Sequence, residues 1–290
     1  MIRLKGPSVR MFRLALVLAA TLGCWHPVFA QQRPLVTEDP EPVGEGRLLI
    51  ESGLDVLHGQ RYPVSGLEGN LLRLPTIGVS IGISSIAELQ IDGGLYERLS
   101  ITSRQTAPLS SLLNVTGDRT HDVSDIVVAT KIRMVGEGTG RPALAIRFAT
   151  KLPNASNEAG LGLDTTDFYA SLLAAKNIQS LRLVGNVGLG ILGDPTSGNR
   201  QNDVLTYGLS VARAMTERAE VVGEFNGRAN MRSGGAFPGT ESRSTMRLGG
   251  RFTTGSLRFD AAALVGLTSD GPTIGMTTGL TWVFDAFRVP

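Results

Sequence analysis

The stretch TTGLTWVF, residues 277–284, decides the fold of this chain. Its odd-numbered residues are mostly small, whereas its even-numbered residues are mostly large and apolar and include Trp282 and Phe284. Successive side chains of a β-strand point to opposite faces, so this alternation predicts a strand with one large apolar face. Aromatic residues on such a face are typical of strands that cross a membrane, where they lie at the level of the interface.

The same alternation recurs along the whole chain. Apolar residues occupy every second position in TIGVSIGIS (76–84), in most of ALAIRFATKL (143–152) and in SLRFDAAALVGL (256–267). Most of these runs exceed the roughly five or six residues of ordinary globular strands and match the roughly 9–11 residues that cross a bilayer at a tilt. Twelve strands are predicted, at 47–57, 70–84, 86–96, 124–134, 142–152, 166–176, 181–192, 203–214, 218–231, 241–254, 256–269 and 273–284.

The connections between these strands alternate in length. Short turns are predicted near 85, 135–141, 177–180, 215–217 and 255. Longer loops are predicted at 58–69, 97–123, 153–165, 193–202 and 232–240, and only the short connection at 270–272 departs from the alternation. Short turns on one side, long loops on the other and an even strand count are typical of an outer-membrane barrel, with both chain ends in the periplasm. A closed barrel also pairs every backbone group that lipid would leave without a partner. The predicted fold class is therefore all-β, a transmembrane antiparallel up-and-down β-barrel of about 12 strands.

The first thirty residues are expected to be an export signal. Four basic residues precede the apolar run LALVLAATL (14–22), and Val28-Phe29-Ala30 offers a cleavage site after Ala30. The alternative is a lipoprotein signal that ends at Cys24. Cleavage after Ala30 changes the formal charge from +2 to −2, because 28 minus 4 basic residues then face 26 acidic ones. The negative charge argues against a nucleic-acid partner. Cleavage also removes the only cysteine, which excludes disulfides, thiolate chemistry and cysteine metal sites in the mature chain.

The expected domain division has four parts. A signal peptide (1–30) is followed by a periplasmic N-terminal lead (31–46), the transmembrane barrel (47–284) and a C-terminal tail (285–290). The last strand also resembles the C-terminal signal that the barrel-assembly machinery recognises. The residues that carry this resemblance are Thr277, Gly279, Trp282 and Phe284. That signal usually stops at the final aromatic residue, whereas six residues follow here, so Phe287 is the alternative end of the strand.

A broader resemblance covers most of the mature chain. The opening RPLVTEDPEPVGEGRLLIESGLDV (33–56) is similar to that of outer-membrane barrels of the meta-pathway phenol-degradation type. GVSIGISSIAELQIDGG (78–94) and GLSVARAMTERAEVVGEFNG (208–227) resemble their strand–turn–strand hairpins, and LPNASNEAGLGLDTTDF (152–168) resembles one of their loops. The resemblance implies a transporter of small, often hydrophobic molecules in the outer membrane of a Gram-negative cell.

The inward face of the predicted barrel is strongly charged. Acids cluster on the first three strands, and bases follow on the fourth to seventh and on the tenth, so the two arcs are expected to face each other across the lumen. The predicted lumen-lining residues are Glu51, Asp55, Glu88, Asp92, Lys131, Arg133, Arg147, Lys151, Arg182, Glu224, Arg228, Arg243, Arg247, Arg251, Arg258 and Asp260. If the ninth and tenth strands pair with residue numbers that sum to 471, Glu224 opposes Arg247 and Glu220 opposes Arg251.

Several short patterns look like catalytic motifs and are interpreted otherwise. Gly78-x-Ser80-x-Gly82 matches a nucleophile elbow and Gly188-x-Gly190-x-x-Gly193 a dinucleotide fingerprint, but both lie in strands with no helix after them. In THDVSD (120–125) neighbouring side chains alternate sides, so they are not expected to converge on an acyl-transfer site. The acidic lead could bind calcium, but the preferred interpretation is a solvated face. No enzyme activity and no cofactor are expected.

Three functions follow from these observations. The first is an integral outer-membrane barrel that passively transports a small solute along an arginine-lined lumen, with loops 97–123 and 153–165 as gates. The second is a structural or interaction barrel whose lumen is closed by its own ion pairs. The third is a secreted, soluble β protein, which the small number of aromatic residues leaves open. The expected partners of the first are the lipid bilayer, the barrel-assembly machinery and a small solute.

Overall fold

A computed structural model describes residues 32–287 of the chain. The expected signal peptide, its cleavage site and Cys24 therefore lie outside the described residues. Among residues 32–287, no helix has the length and apolar character needed to cross a membrane. The strands are β1 (Arg47–Tyr62), β2 (Leu67–Gly82), β3 (Ala87–Gly94), β4 (Glu97–Arg104), β5 (Arg119–Asp122), β6 (Ile126–Val135), β7 (Ala143–Leu152), β8 (Asp167–Ile178), β9 (Leu181–Gly193), β10 (Gln201–Ala214), β11 (Ala219–Asn230), β12 (Arg243–Thr254), β13 (Leu257–Gly266) and β14 (Ile274–Asp285).

These strands close into an antiparallel barrel. β1 pairs with β14 on one side and with β2 on the other, so the sheet has no open seam there. β3 and β4 both pair with β2, one after the other along its length, and β6 and β5 continue from them in the same way. The fourteen strands therefore fill twelve positions around the barrel, which confirms the predicted fold class.

The two ends of the barrel differ as the alternation of connection lengths predicts. The turns 83–86, 136–142, 179–180, 215–218 and 255–256 and both ends of the strand series lie at one end, called the turn end. The other end, called the loop end, carries the connections 63–66, 105–118, 153–166, 194–200, 231–242 and 267–273. That the turn end faces the periplasm stays a prediction.

The predicted loop at 58–69 is wrong, because this segment is mostly strand. The predicted loop at 97–123 begins with the strand β4 and ends with the strand β5, so only its middle part is a loop. β1 and β2 continue through the first segment to a tight turn at 63–66, and β4 and β5 extend the sheet in the second. Gly66 has a φ of 77° in this turn, and a Cβ there would collide with the carbonyl oxygen of Gln105. The extension is stable because Leu57, Leu67, Leu71, Leu99 and Leu161 bury one another in an apolar cluster at the loop end. Their contacts join segments distant in sequence, which strand periodicity does not reveal.

The exterior of the barrel is apolar. Phe148, Leu209 and Met276 are 52%, 57% and 65% exposed, whereas their neighbours in sequence on the strands point inward. In the last strand Met276 and Trp282 face outward, and the Trp282 and Phe284 rings lie 4.2 Å apart between centroids. β14 ends at Asp285, so Phe284 lies within the last strand and Phe287 beyond it. A role for these residues in barrel assembly stays a prediction.

The predicted register of β11 and β12 is confirmed. Glu224 is the cross-strand partner of Arg247, and Glu220 is the partner of Arg251, so the residue numbers sum to 471. The Arg247 guanidinium lies 2.6 Å from the Glu224 carboxylate, and the Arg251 guanidinium 3.7 Å from that of Glu220.

Replacing Arg247 by Glu is expected to destabilise the barrel, because two carboxylates would then face each other across the ladder. Losing the attraction and adding repulsion lowers the free energy of unfolding by about 2 kcal/mol. This corresponds to a fall of roughly 4–8 °C in the unfolding midpoint. The midpoint can be read from the heat-dependent gel shift in detergent. Arg218→Glu, at an exposed position in the turn 215–218, is the matched control. An unchanged midpoint for Arg247→Glu would contradict the role assigned to this pair.

Candidate functional site

The predicted lumen-lining residues lie at inward positions of their strands. Some make ion pairs between neighbouring strands, such as Lys131 with Glu88 at 2.9 Å and Lys151 with Asp167 at 3.2 Å. The expected acidic and basic arcs thus meet side by side at β3 and β6. The inward residues are Glu51, Asp55, Glu88, Asp92, Lys131, Arg133, Arg147, Lys151, Arg182, Glu224, Arg228, Arg243, Arg247, Arg251, Arg258 and Asp260. That they line a conducting path is not shown by this placement.

The N-terminal lead lies inside the barrel. We call residues 33–43 the lumenal lead, because they touch inward side chains around the barrel. Glu38 and Asp39 are each only 6% exposed, so the interpretation of this acidic stretch as a solvated face is wrong. Their charges can be buried because basic side chains of the barrel wall pair with them. These partners are distant in sequence, so local residue spacing does not reveal them.

The two buried acids of the lumenal lead bind nearby parts of the basic wall, on β6, β7 and β9. The Glu38 carboxylate lies 3.1 Å from Arg147 and 3.5 Å from Lys131. The Asp39 carboxylate accepts two hydrogen bonds from Arg182, at 2.5 and 2.6 Å. The Lys131 ammonium group also donates to the Asp39 carbonyl oxygen at 2.8 Å. Each acid is therefore neutralised where it enters the lumen.

Further contacts hold the lumenal lead along its length. The Val36 and Thr37 N–H groups donate to the Glu224 carboxylate at 2.8 and 2.6 Å, and the Val43 N–H donates to Glu88 at 2.5 Å. At its start, Arg33 lies 3.5 Å from the Asp260 carboxylate. Three further contacts are the Arg33 guanidinium with the Thr277 hydroxyl at 3.0 Å, the Arg251 guanidinium with the Arg33 carbonyl oxygen at 2.8 Å, and the Arg133–Glu41 ion pair.

Arg182 also reaches the turn end of the barrel. Its guanidinium lies 3.2 Å from the carboxylate of Glu137, in the turn 136–142. Burial acts to raise the pKa of Glu137, but the hydrogen bond from the Asn177 N–H and the nearby Lys176 and Arg182 hold that pKa below its ordinary value. Glu137 therefore stays ionised, and it orients Arg182 from the side opposite to Asp39.

Polar cavities lie on both sides of the lumenal lead. On the loop side, an upper cavity of about 470 Å³ and a middle cavity of about 360 Å³ share the residues Val36, Tyr169, Arg228 and Arg243. On the turn side, a lower cavity of about 200 Å³ is lined by charged and polar side chains. Thr37 lines both the middle and the lower cavity, so the lumenal lead separates them. A further cavity, about 1140 Å³, is a groove beside the outward-facing Phe148 and Phe168 on the apolar exterior.

The loop 153–166 covers the upper cavity and is firmly tied down. Its Leu161 is 9% exposed in the apolar cluster. The Ser65 hydroxyl donates to the Gly160 carbonyl oxygen at 2.8 Å, and the Thr120 hydroxyl donates to that of Ala159 at 2.8 Å. The lumenal lead is instead held mainly by ion pairs and hydrogen bonds, although its Val43 also packs with Leu49 and Val283. The sequence-based expectation that this loop and 97–123 act as gates stays a prediction.

The residues of the THDVSD motif do not form a catalytic triad. The Ser124 hydroxyl bonds to the Glu97 carboxylate, and Asp122 accepts the Ser156 N–H at 2.7 Å. The His121 ring lies beside that of Tyr96, with 5.9 Å between centroids. Within residues 32–287, no group of three or more His, Cys, Asp or Glu side chains is placed to hold a metal ion.

A family model described as "Putative MetA-pathway of phenol degradation" matches residues 34–284. An outer membrane channel from Pseudomonas putida F1 superposes with a TM-score of 0.62 at 12% identity, over 85% of this chain and 98% of that one. The translocator domain of the autotransporter NalP from Neisseria meningitidis has a TM-score of 0.52 at 12% identity, over 95% of each chain. The NanC porin has a TM-score of 0.50 at 8% identity, over 83% of this chain and all (100%) of that one. Among curated proteins, no sequence matches this chain.

The similarity to these three structures is a similarity of fold, because their sequence identities to this chain are low. The closed barrel with its apolar exterior places the chain in the outer membrane as an integral β-barrel. The matched family region begins within the lumenal lead rather than at the first strand. The match therefore covers most of the lead together with the barrel, and the division of the chain into a lead and a barrel stays a prediction.

Proposed function

The chain belongs to the family described as "Putative MetA-pathway of phenol degradation", and on that premise we propose that it is a passive channel for a small solute. We propose further that its own lumenal lead closes the channel in this structure. The observation that carries this proposal is the pair of polar compartments on either side of the lead. A lumen built only as a packed core would be filled by wall side chains at this position. Here a separate, non-strand segment fills it.

The contacts of the lumenal lead suit a removable constriction. Apart from the burial of Leu35 and Val43, they are ion pairs and hydrogen bonds, whose partners can be replaced by water or by a charged solute when the segment moves. The loop 153–166, by contrast, is fixed by buried leucines. We therefore assign gating to the lead. No enzyme activity is proposed, because Ser124 bonds to Glu97 and the His121 ring packs beside Tyr96.

The alternative function is a barrel that never opens. One observation favours it: Lys131 is fully buried and bonded to both the wall and the lead. Breaking a buried ion pair without a replacement costs about 3–5 kcal/mol, and several such contacts would hold the lead permanently.

Conductance in planar bilayers separates the two functions. We expect the full mature protein to give small, voltage-dependent current steps, because the lead leaves the lumen during part of the time. If the heat-dependent gel shift shows that the protein is folded and no current steps are seen, the result would support the closed barrel instead. Heat-unfolded protein added to the same bilayer is the control for leaks caused by detergent.

A further inference from the structure

We propose that the lumenal lead occupies a binding site for small dicarboxylate solutes, and that such a solute competes with Glu38 and Asp39 for the basic side chains of the wall. This inference rests on the proposed channel function for its place in transport. We call Lys131, Arg147 and Arg182 the basic arc. The lead then acts as a built-in mimic of the ligand, and a solute that replaces it occupies the same bases within the path.

The contact between Asp39 and Arg182 has the geometry of ligand recognition. Two guanidinium nitrogens meet two carboxylate oxygens at 2.5 and 2.6 Å. Parallel hydrogen bonds of this kind are how arginine binds free carboxylates and phosphates. A solute carboxylate in the position of the Asp39 side chain would make the same two bonds.

A second carboxylate position lies one residue away. The Glu38 carboxylate is 3.1 Å from Arg147 and 3.5 Å from Lys131, while Lys131 also donates to the Asp39 carbonyl oxygen. The basic arc thus holds two separate carboxylates at once. A molecule that carries two carboxylates on a short apolar spacer matches this pattern, whereas a single phosphate could satisfy only one of the two positions.

The basic arc is accessible from both compartments of the lumen. Arg147 and Glu38 line the middle cavity of about 360 Å³, and Arg182 and Asp39 line the lower cavity of about 200 Å³. A solute from the loop end would meet Arg147 first and could pass to Arg182 as the lead withdraws. Arg147 and Arg182 therefore lie one after the other along the proposed path.

The charge balance also requires an anion at this place. Without the lead, five bases would face only three acids of the wall and its turn. These residues are Lys131, Arg133, Arg147, Lys176, Arg182, Glu88, Asp92 and Glu137. A buried cation without a partner is unfavourable, so displacement of the lead is easiest when another anion takes its place.

The test uses the double variant Glu38→Gln/Asp39→Asn, which keeps the length of the lead and removes both charges. We expect succinate to reduce the chloride current through this variant at concentrations at least about tenfold lower than in the wild type, since the loss of one charged hydrogen bond corresponds to that factor. Acetate and inorganic phosphate should act more weakly than succinate. Glu45→Gln, at an exposed position two residues after the end of the lumenal lead, is the matched control and should behave as wild type.

A binding measurement makes the inference independent of conductance. Succinate should raise the heat-unfolding midpoint of the double variant in detergent, and the added substitution Arg182→Gln should remove that effect. Protection without any current would support the site and refute the channel. Current without succinate inhibition and without succinate protection would refute the dicarboxylate site and leave the channel standing.

Discussion

Oxidation of the double variant Thr37→Cys/Gly208→Cys is expected to abolish the conductance, and reduction is expected to restore it. A Cβ added at Gly208 would lie 3.4 Å from the Cβ of Thr37, close to the roughly 3.8 Å between the Cβ atoms of ordinary disulfides. A bond there would tie the lumenal lead to the wall at β10. Because the lead is proposed to be the constriction, a lead that cannot move leaves no path.

The chain offers clean conditions for this experiment. Its only natural cysteine is Cys24, in the expected signal peptide, so no other thiol should compete in the mature protein. The Thr37 hydroxyl has no hydrogen-bond partner among the described residues, and its replacement by a thiol therefore loses no bond. Each single cysteine variant, treated with the same oxidant, is the control. Undiminished current through the fully oxidised double variant would show that the solute path does not pass the lead.

Replacing Lys131 by Met is expected to lower the free energy of unfolding by about 3–5 kcal/mol, the usual result of removing one partner from a buried ion pair. Lys131 is completely buried, and its ammonium group lies 2.9 Å from Glu88 and 3.5 Å from Glu38. Met has a similar length but no charge, so both carboxylates would lose a cation. The measurement is urea unfolding in detergent, followed by the fluorescence of Trp282, the only tryptophan left after cleavage at Ala30.

Lys176→Met is the matched control for this prediction. Lys176 lies at the turn end, with its side chain 29% exposed and 3.4 Å from Glu137. A partly exposed pair contributes little, so the expected loss is below about 1 kcal/mol. If Lys131→Met unfolds at the urea concentration of the wild type, the lumenal lead is not bound to the wall as described.

The strand pattern could be predicted because it depends on neighbours two residues apart. In a strand such as β14, alternate residues belong to opposite faces of the sheet, so both faces can be read from the order of its residues. The difference between the faces is large in a membrane barrel, because one face contacts lipid and the other contacts the polar lumen. The same reasoning reached the pairing of Glu224 with Arg247, since only a few registers keep both faces in place. Both features follow from local periodicity and from the need to pair every backbone group.

The loop end could not be predicted in the same way. The hairpin of β1 and β2 extends to the turn at 63–66 because its leucines meet Leu161 from a distant loop. Periodicity in 58–69 is interrupted by Gly59, Pro63 and Gly66, which are ordinary signs of a loop. The burial that stabilises strand there comes from another part of the chain.

The sequence by itself determined the barrel, the number of its strands, the alternation of turns and loops and the charge of its inner face, because each strand presents these features within its own residues. Only the tertiary structure decided what fills the lumen. Asp39 and Arg182 are 143 residues apart, and no local pattern indicates that an acidic stretch before the first strand will enter the barrel. It enters because closing the ring gathers buried bases from several strands, and these charges need acids that the wall alone does not supply in full.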